Sequence, residues 1–477
     1  MSRPHREWTM TTIAGVAAAL LIPGRAVQAQ SINAAYAGQL TLQSTGATVP
    51  GHPAQMAWGP DGRLYVMTTD QGVWSYAYDA VAGTLGGSKQ EVSGINGIGI
   101  GFHYNSSTNK DEMFLTAFGS PVTWPTHTDS LWKLTRTHGT LNAWGGTGEV
   151  RVAIVTGVPT GDHDVDQIQI VGDTLYVGVG RRTINGFSGY WTSGSLSDFP
   201  PNTGFWSGGT GKTYGDSAYG GTICTIQNLD HVVDTQGSAD TLNPADKLKA
   251  LIQSDSSPYQ AADNKLIVHS AGTRNPFGLC LDQNNNLYFT NNFNRVTTKG
   301  NGQSGFGLDG DVFDSNVYDD VHDQLFAAVA GGDYGYHSSN WVNKSPFLLR
   351  SQTGHVITRS IAFDNLYNKG PYPPYDPAHP VGLGPSASAD GCSFWYNTGL
   401  PSELYGRIFI ARYNHTIPTQ PVNLTYADLI AVDVTNGNAV QVAYNFQDPL
   451  AVLADQNQKY LLVADYGNQT IYAITAQ

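Results

Sequence analysis

The stretch Pro53–Thr68, PAQMAWGPDGRLYVMT, reads as an apolar strand, an Asp61-Gly62 turn and a second strand carrying Leu64-Tyr65-Val66. Asp-Gly readily takes the left-handed backbone that a tight hairpin needs, so the stretch specifies a β-hairpin. Working outward, the same order of strand, polar turn and strand returns at Ile98–Thr116, Asp164–Gly178, Asn275–Thr290, Gly391–Ala411 and Pro449–Ala464. Further strand candidates follow four of these units, at Ser130–Arg136, Gly221–Gln227, Asp428–Val434 and Gln469–Ile474. A unit of three or four strands cannot bury both of its faces alone, whereas stacking such units around a closed ring does. The spacing predicts an all-β fold, a six-bladed β-propeller with long inserted loops. A two-sheet sandwich is the competing all-β arrangement, and six recurring hairpins weigh against it.

Composition agrees. With 55 Gly, 25 Tyr and only 13% charged residues, the chain favours many short strands over helices. Thr183–Tyr219, Gln303–His322 and Trp341–Val356 lack strand periodicity and read as long loops. The first carries Phe187, Tyr190, Trp191, Phe205 and Trp206, which suit stacking on a sugar ring or packing onto the propeller. Asn243–Ser254 is the one helix candidate, with Asn243 as cap and Pro244 at the first helical position.

The N-terminus decides the compartment. Arg3, His5 and Arg6 precede the apolar run Ile13–Ile22, and Ala26-Val27-Gln28-Ala29 offers a small-residue cleavage site. We expect residues 1–29 to be a signal peptide and 30–477 a single secreted propeller domain, extracellular or periplasmic. The apolar run falls short of the ~20 residues a membrane span needs. Losing Arg3, Arg6, Arg25 and Glu7 with the leader deepens the formal charge from −13 to about −15. So acidic a chain is a poor partner for nucleic acid or anionic membrane and suits a neutral small molecule. Cys224, Cys280 and Cys392 stand far apart in apolar runs, without close pairs or Cys–His spacing, and read as buried thiols rather than a zinc site. Asn105, Asn343, Asn414, Asn423 and Asn468 begin glycosylation sequons, which matter only in a glycosylating host.

Residues just ahead of each innermost propeller strand converge on the central channel. Two such approaches carry chemistry: Gly161-Asp162-His163-Asp164 and Gly272-Thr273-Arg274-Asn275-Pro276. An imidazole suits removal of a hydroxyl proton near neutral pH, and Asp162 or Asp164 could fix its tautomer. Arg274 cannot act as a base but can stabilise an oxyanion or hold a carboxylate. Pro276 orders the strand start, so Asn275 presents its amide in a defined direction.

GDHDVDQIQIVGDTLYVGVG, GTRNPFGLCLDQNNNLYFTN and the segment from Asp323-Gln324-Leu325 to Gly331-Gly332-Asp333-Tyr334-Gly335 together resemble the soluble PQQ-dependent glucose/sorbosone dehydrogenases. The likeness is co-linear over nearly the whole mature chain. It implies a quinoprotein that oxidises an aldose or related sugar with pyrroloquinoline quinone (PQQ) and calcium, passing electrons to an external acceptor. On that resemblance His163 is the base, Asp162 holds it, and Arg274 and Asn275 line the quinone's carbonyl edge. Arg412 replaces the family's cofactor-binding lysine, and main-chain oxygens near Tyr318 and Asp319 occupy the calcium segment. Three stretches depart from the family: Ser93–Gly97 lacks its glutamine, Asn445–Asp448 stands in place of its paired arginines, and Val317-Tyr318-Asp319 in place of its Gln-Gly-Pro. Two other readings use the same residues. One is a calcium-dependent lactonase or lyase on His163 and Arg274, with Asp162, Asn275, Asp390 and Asp448 as oxygen ligands. The other is a non-catalytic glycan-binding propeller.

Overall fold

The computed structural model describes residues 29–119, 128–159, 163–180, 221–231, 266–271, 273–292, 322–330, 381–385, 387–397, 399–413 and 427–477, plus the two-residue strands at 349–350, 356–357, 417–418 and 423–424. The leader, Asp162, Tyr318, Asp319, the aromatic residues of the 183–219 loop and the 243–254 helix candidate lie outside the described residues.

Six antiparallel sheets of four or five strands form the six blades of a β-propeller. Their innermost strands are Pro53–Trp58, Ile100–Asn105, Val165–Val171, Pro276–Leu281, Ala389–Trp395 and Pro449–Ala454, defining blades 1 to 6 in chain order. Each opens one of the six hairpins read in the sequence. In blade 1 the hairpin turns at Gly62, whose φ of 74° is the left-handed conformation that the Asp-Gly pair supplies.

Blade 6 closes the ring. Its three inner strands come from the C-terminus, and its outer strand, Leu40–Thr48, comes from the N-terminal end of the domain and pairs with Thr470–Ala476. Ser31–Ile32 likewise adds an outer strand to blade 5 through Ala443 and Tyr444. Both ends of the described propeller are therefore held in sheets.

The core lies between blades rather than inside them. Tyr65 and Met67 of blade 1 pack on Met113 and Leu115 of blade 2, and Cys280 and Tyr288 of blade 4 on Cys392 and Ile410 of blade 5. Trp395 and Phe409 of blade 5 meet Leu461 and Val463 of blade 6. Burying each aliphatic side chain of this kind contributes about 1.5–3 kcal/mol. All three cysteines are free and buried. Among the described residues no helix is long and apolar enough to cross a membrane.

Candidate active site at the channel mouth

The six innermost strands all begin at the same end of the central channel, so the residues ahead of them form its mouth: His52, Ile98, His163-Asp164, Arg274-Asn275, Ser388 and Gln447-Asp448. Backbone N–H groups at these starts are accepted by acidic or amide side chains, either from the second strand of the same blade or from the third strand of the blade before it. Asn291 Oδ1 takes the N–H groups of Arg274 (3.0 Å) and Asn275 (3.1 Å). Asp465 takes those of Gln447 and Asp448, each at 2.9 Å. Asp129 reaches from blade 2 to Val165 of blade 3 at 2.9 Å, and Asp323 from blade 4 to Ala389 of blade 5 at 3.1 Å. The mouth is thus fixed by carboxylates bridging neighbouring blades.

Below the mouth, amides fill the channel. Gln55 of blade 1 donates to the Ile168 carbonyl at 2.7 Å and accepts from the N–H groups of Ile100 (2.7 Å) and Ile168 (3.1 Å), joining three blades. Gln167 donates back to the Ala54 carbonyl at 3.0 Å. Above them Ala54, Ile98, Phe277, Leu450 and Tyr466 cluster, with Phe118 and Tyr413 packed alongside. His52 lies over Tyr466 at 4.6 Å between ring centroids, and Tyr413 meets Tyr466 edge-on at 5.8 Å. The mouth therefore joins an aromatic wall of mutually tilted rings to a polar wall.

The polar wall belongs to blades 3, 4 and 5. His163 is 8% exposed, and both the β-carbon of His163 and the amide oxygen of Asn275 crowd the space a β-carbon on Gly180 would need. Only glycine there lets the two side chains meet. Burial, and then the positive charge of Arg274, hold the imidazole well below its ordinary pKa, so it is neutral at physiological pH. Arg274 is half-buried and donates through Nη1 to the Asn292 carbonyl at 3.2 Å. Asn292 Nδ2 in turn donates to Asp390 at 2.9 Å.

Carboxylates crowd the same wall. Asp166, on the inner strand of blade 3, is 1% exposed. Burial first, then the charges of Asp164, Asp390 and Asp129, push its pKa well above the ordinary carboxylate range. Asp390 is also raised, by burial chiefly, against the hydrogen bonds from Asn292 and Ser388. Asp166 Oδ2, Asn275 Oδ1 and Asn292 Oδ1 are buried oxygens with no hydrogen-bond donor among the described residues. Unpaired acceptors beside crowded carboxylates are the surroundings a hard divalent cation satisfies.

Arg412 lies on the same face, one strand outward from Ala389. Its guanidinium forks onto the fully buried Asp428, with Nε at 2.7 Å from Oδ1, and donates to the Leu383 carbonyl of blade 4 at 3.0 Å. It joins blades 4 and 5 there. The structure places His163, Arg274 and Asn275 together at the mouth and Arg412 one strand outward. Asp166, Asn291 and Asn292 escaped the sequence reading. The readable signal was the buried pair Asp166-Gln167, two consecutive polar residues near the start of the inner strand VDQIQIV.

No protein-family model and no curated protein matches the chain. Solved structures do. The holo PQQ domain of pyranose dehydrogenase from Coprinopsis cinerea superposes with a TM-score of 0.55 at 12% identity, covering 95% of this chain and 98% of that one. A carbohydrate-active enzyme of family AA12 from Trichoderma reesei also gives 0.55 at 12% identity, covering 94% and 98%. The chain shares their fold. A PQQ-bound aldose sugar dehydrogenase from Streptomyces coelicolor is more distant in shape, with a TM-score of 0.47 at 15% identity over 92% and 99% of the two chains.

The residues at the mouth suit the reacting edge of PQQ. Arg274 and the Asn275 amide are donors for quinone carbonyls, the aromatic wall suits a planar ring system, and the oxygen-rich wall suits calcium. The quinone's carboxylates find less: the last blade offers Gln447 and Asp448, whose N–H groups already bind Asp465.

Proposed function

We propose that this chain is a secreted dehydrogenase of aldose-type sugars that works with PQQ and calcium, with His163 as its base. The observation that carries the reading is a buried, neutral imidazole set against Asn275 and Arg274 at the mouth of a six-bladed channel. When bound, the quinone supplies the hydride acceptor. His163 takes the proton from the sugar hydroxyl as the carbon–hydrogen bond breaks, and hands it to solvent afterwards. Arg274 keeps His163 unprotonated before the reaction and offers positive charge where negative charge develops. The aromatic side chains His52, Tyr413 and Tyr466 give the mouth an apolar lining that helps keep water from the reacting carbon. Asp162 orients His163 in this reading, Tyr318 and Asp319 belong to the calcium segment, and an external acceptor removes the electrons.

A second reading draws on Asp448, which presents a carboxylate where a quinone clamp needs cations. A calcium-dependent lactonase or lyase needs no such clamp. It would use His163, Arg274 and the unpaired oxygens of Asp166 and Asn275 around the cation.

The two separate in one titration. Purified chain with calcium is titrated with PQQ while quinone absorbance and melting temperature are followed. The first reading expects saturation near one PQQ per chain at micromolar concentration, and a His163→Gln variant that still binds it. Absence of binding, together with hydrolysis of a sugar lactone without any electron acceptor, establishes the second instead.

A further inference from the structure

On the face of the propeller opposite the mouth, blades 2 and 3 meet at a histidine and two aspartates. His103 lies near the far end of the inner strand Ile100–Asn105, Asp173 in the first hairpin turn of blade 3, and Asp230 in the 3₁₀ turn Leu229–His231 that follows its third strand. One ligand atom from each lies within 4.8 Å of the others. The geometry points to a divalent transition-metal site here, of the zinc class, that ties blade 3 to blade 2.

The His103 ring carries the case. Its side chain is 9% exposed, and Nε2 has no hydrogen bond among the described residues. It faces Asp230 Oδ1 at 3.6 Å and Asp173 Oδ1 at 3.8 Å. These separations are long for hydrogen bonds but near the ~3.4 Å that two ligands keep when each sits about 2.1 Å from a tetrahedral zinc ion. Asp230 Oδ1 is itself buried without a hydrogen-bond donor. Two unpaired lone-pair carriers thus face one point from different blades.

The outer side of the ring is arranged as metal-bound imidazoles are. Nδ1 meets Glu112 Oε2 at 3.1 Å, and Glu112 is fixed by Lys133 at 2.7 Å and Asn105 at 3.0 Å. A carboxylate on Nδ1 sets the tautomer that leaves Nε2 free to ligate. Asn105 also donates to the Asp230 carbonyl at 3.1 Å, while Asp173 Oδ1 accepts the Asp230 N–H at 2.9 Å, so both aspartates are positioned before any ion arrives. With one imidazole and two carboxylates, the site favours zinc or manganese over calcium, which prefers oxygen alone. Asp173 is 45% exposed, which leaves room for water as a fourth ligand. The site lies apart from the mouth and does not depend on the dehydrogenase reading.

The test uses the full mature chain, stripped with chelator and titrated with Co²⁺ and then Zn²⁺. We expect one Co²⁺ per chain with visible ligand-field bands, displacement by Zn²⁺ and a rise in melting temperature. Because His103→Gln leaves Glu112 short of a partner and can unfold the chain, the half-exposed Asp173→Asn is the deciding variant. It should keep the fold and weaken Co²⁺ binding at least tenfold. Absence of bands and of a melting shift at hundred-micromolar metal would overturn the assignment. Binding unchanged in Asp173→Asn would equally overturn the assignment.

Discussion

The His163 β-carbon and the Asn275 amide oxygen, from neighbouring blades, both crowd the bare α-carbon of Gly180, whose own N–H is held by the Asp164 carbonyl at 3.0 Å. A single methyl at position 180 forces both aside. Gly180→Ala should therefore fold yet lose turnover by about a hundredfold, since displacements of an ångström at reacting groups cost that much. Steady-state kinetics beside a thermal melt check it; full activity in a folded variant would dissociate the pair from the chemistry.

The Arg274 charge predicts a shift in pH dependence. His163 works as a base only when neutral, and burial with Arg274 depresses its pKa, so activity should persist below the ordinary histidine value of 6.5. Removing the guanidinium in Arg274→Met raises the His163 pKa. The acidic limb of kcat/KM should then move to higher pH, on top of any loss in rate. An unmoved limb would show that Arg274 does not set the base.

Asp166 ties stability to cations. Its pKa is raised from 3.8, so without a cation the fold loses stability as pH rises above that value and the carboxyl ionises. Asp166→Asn should raise the melting temperature of calcium-free protein at neutral pH, by about 1 °C for each kcal/mol of repulsion relieved in a domain of this size. It should also shrink the stabilisation calcium gives. A melt in chelator and in calcium reads both effects.

His269 gives the acid side. Its ring is buried against Tyr176 at 5.3 Å, and burial lowers its pKa from 6.5 to about 4. The unfolded chain takes up the proton first, so stability is lost as pH falls from 6.5 towards 4, on the order of 3 kcal/mol. His269→Phe should flatten that part of a urea-denaturation profile.

The thiols should be silent. Burial pushes Cys224 up to about 12 and raises Cys280 further from reactivity, with Cys392 beside it. A thiol reagent should find none in the native chain and three after unfolding.

The hairpins were legible because turn chemistry and strand periodicity are local: PDG at 60–62 and the Leu-Tyr-Val after it specify a β-turn-β wherever they stand. His163, Arg274 and Asn275 were legible because each precedes an inner strand. Closure of blade 6 by Leu40–Thr48 was not, since nothing in that segment names a partner more than 400 residues away. The resemblance casts Arg412 as a stand-in for a cofactor-binding lysine; the Asp428 carboxylate that engages it enters from the next strand, outside the motif that carries Arg412. Asn105 begins a sequon, yet it is 2% exposed with its amide committed to Glu112 and Asp230, so it is no acceptor in the folded chain.

Sugar-dependent reduction of a dye, with PQQ and calcium supplied and His163→Gln alongside, tests the dehydrogenase reading most directly. The expected result is turnover of an aldose that requires PQQ and vanishes in His163→Gln while PQQ binding remains. Reduction unaffected by that substitution, or none with any aldose despite bound PQQ, would contradict it.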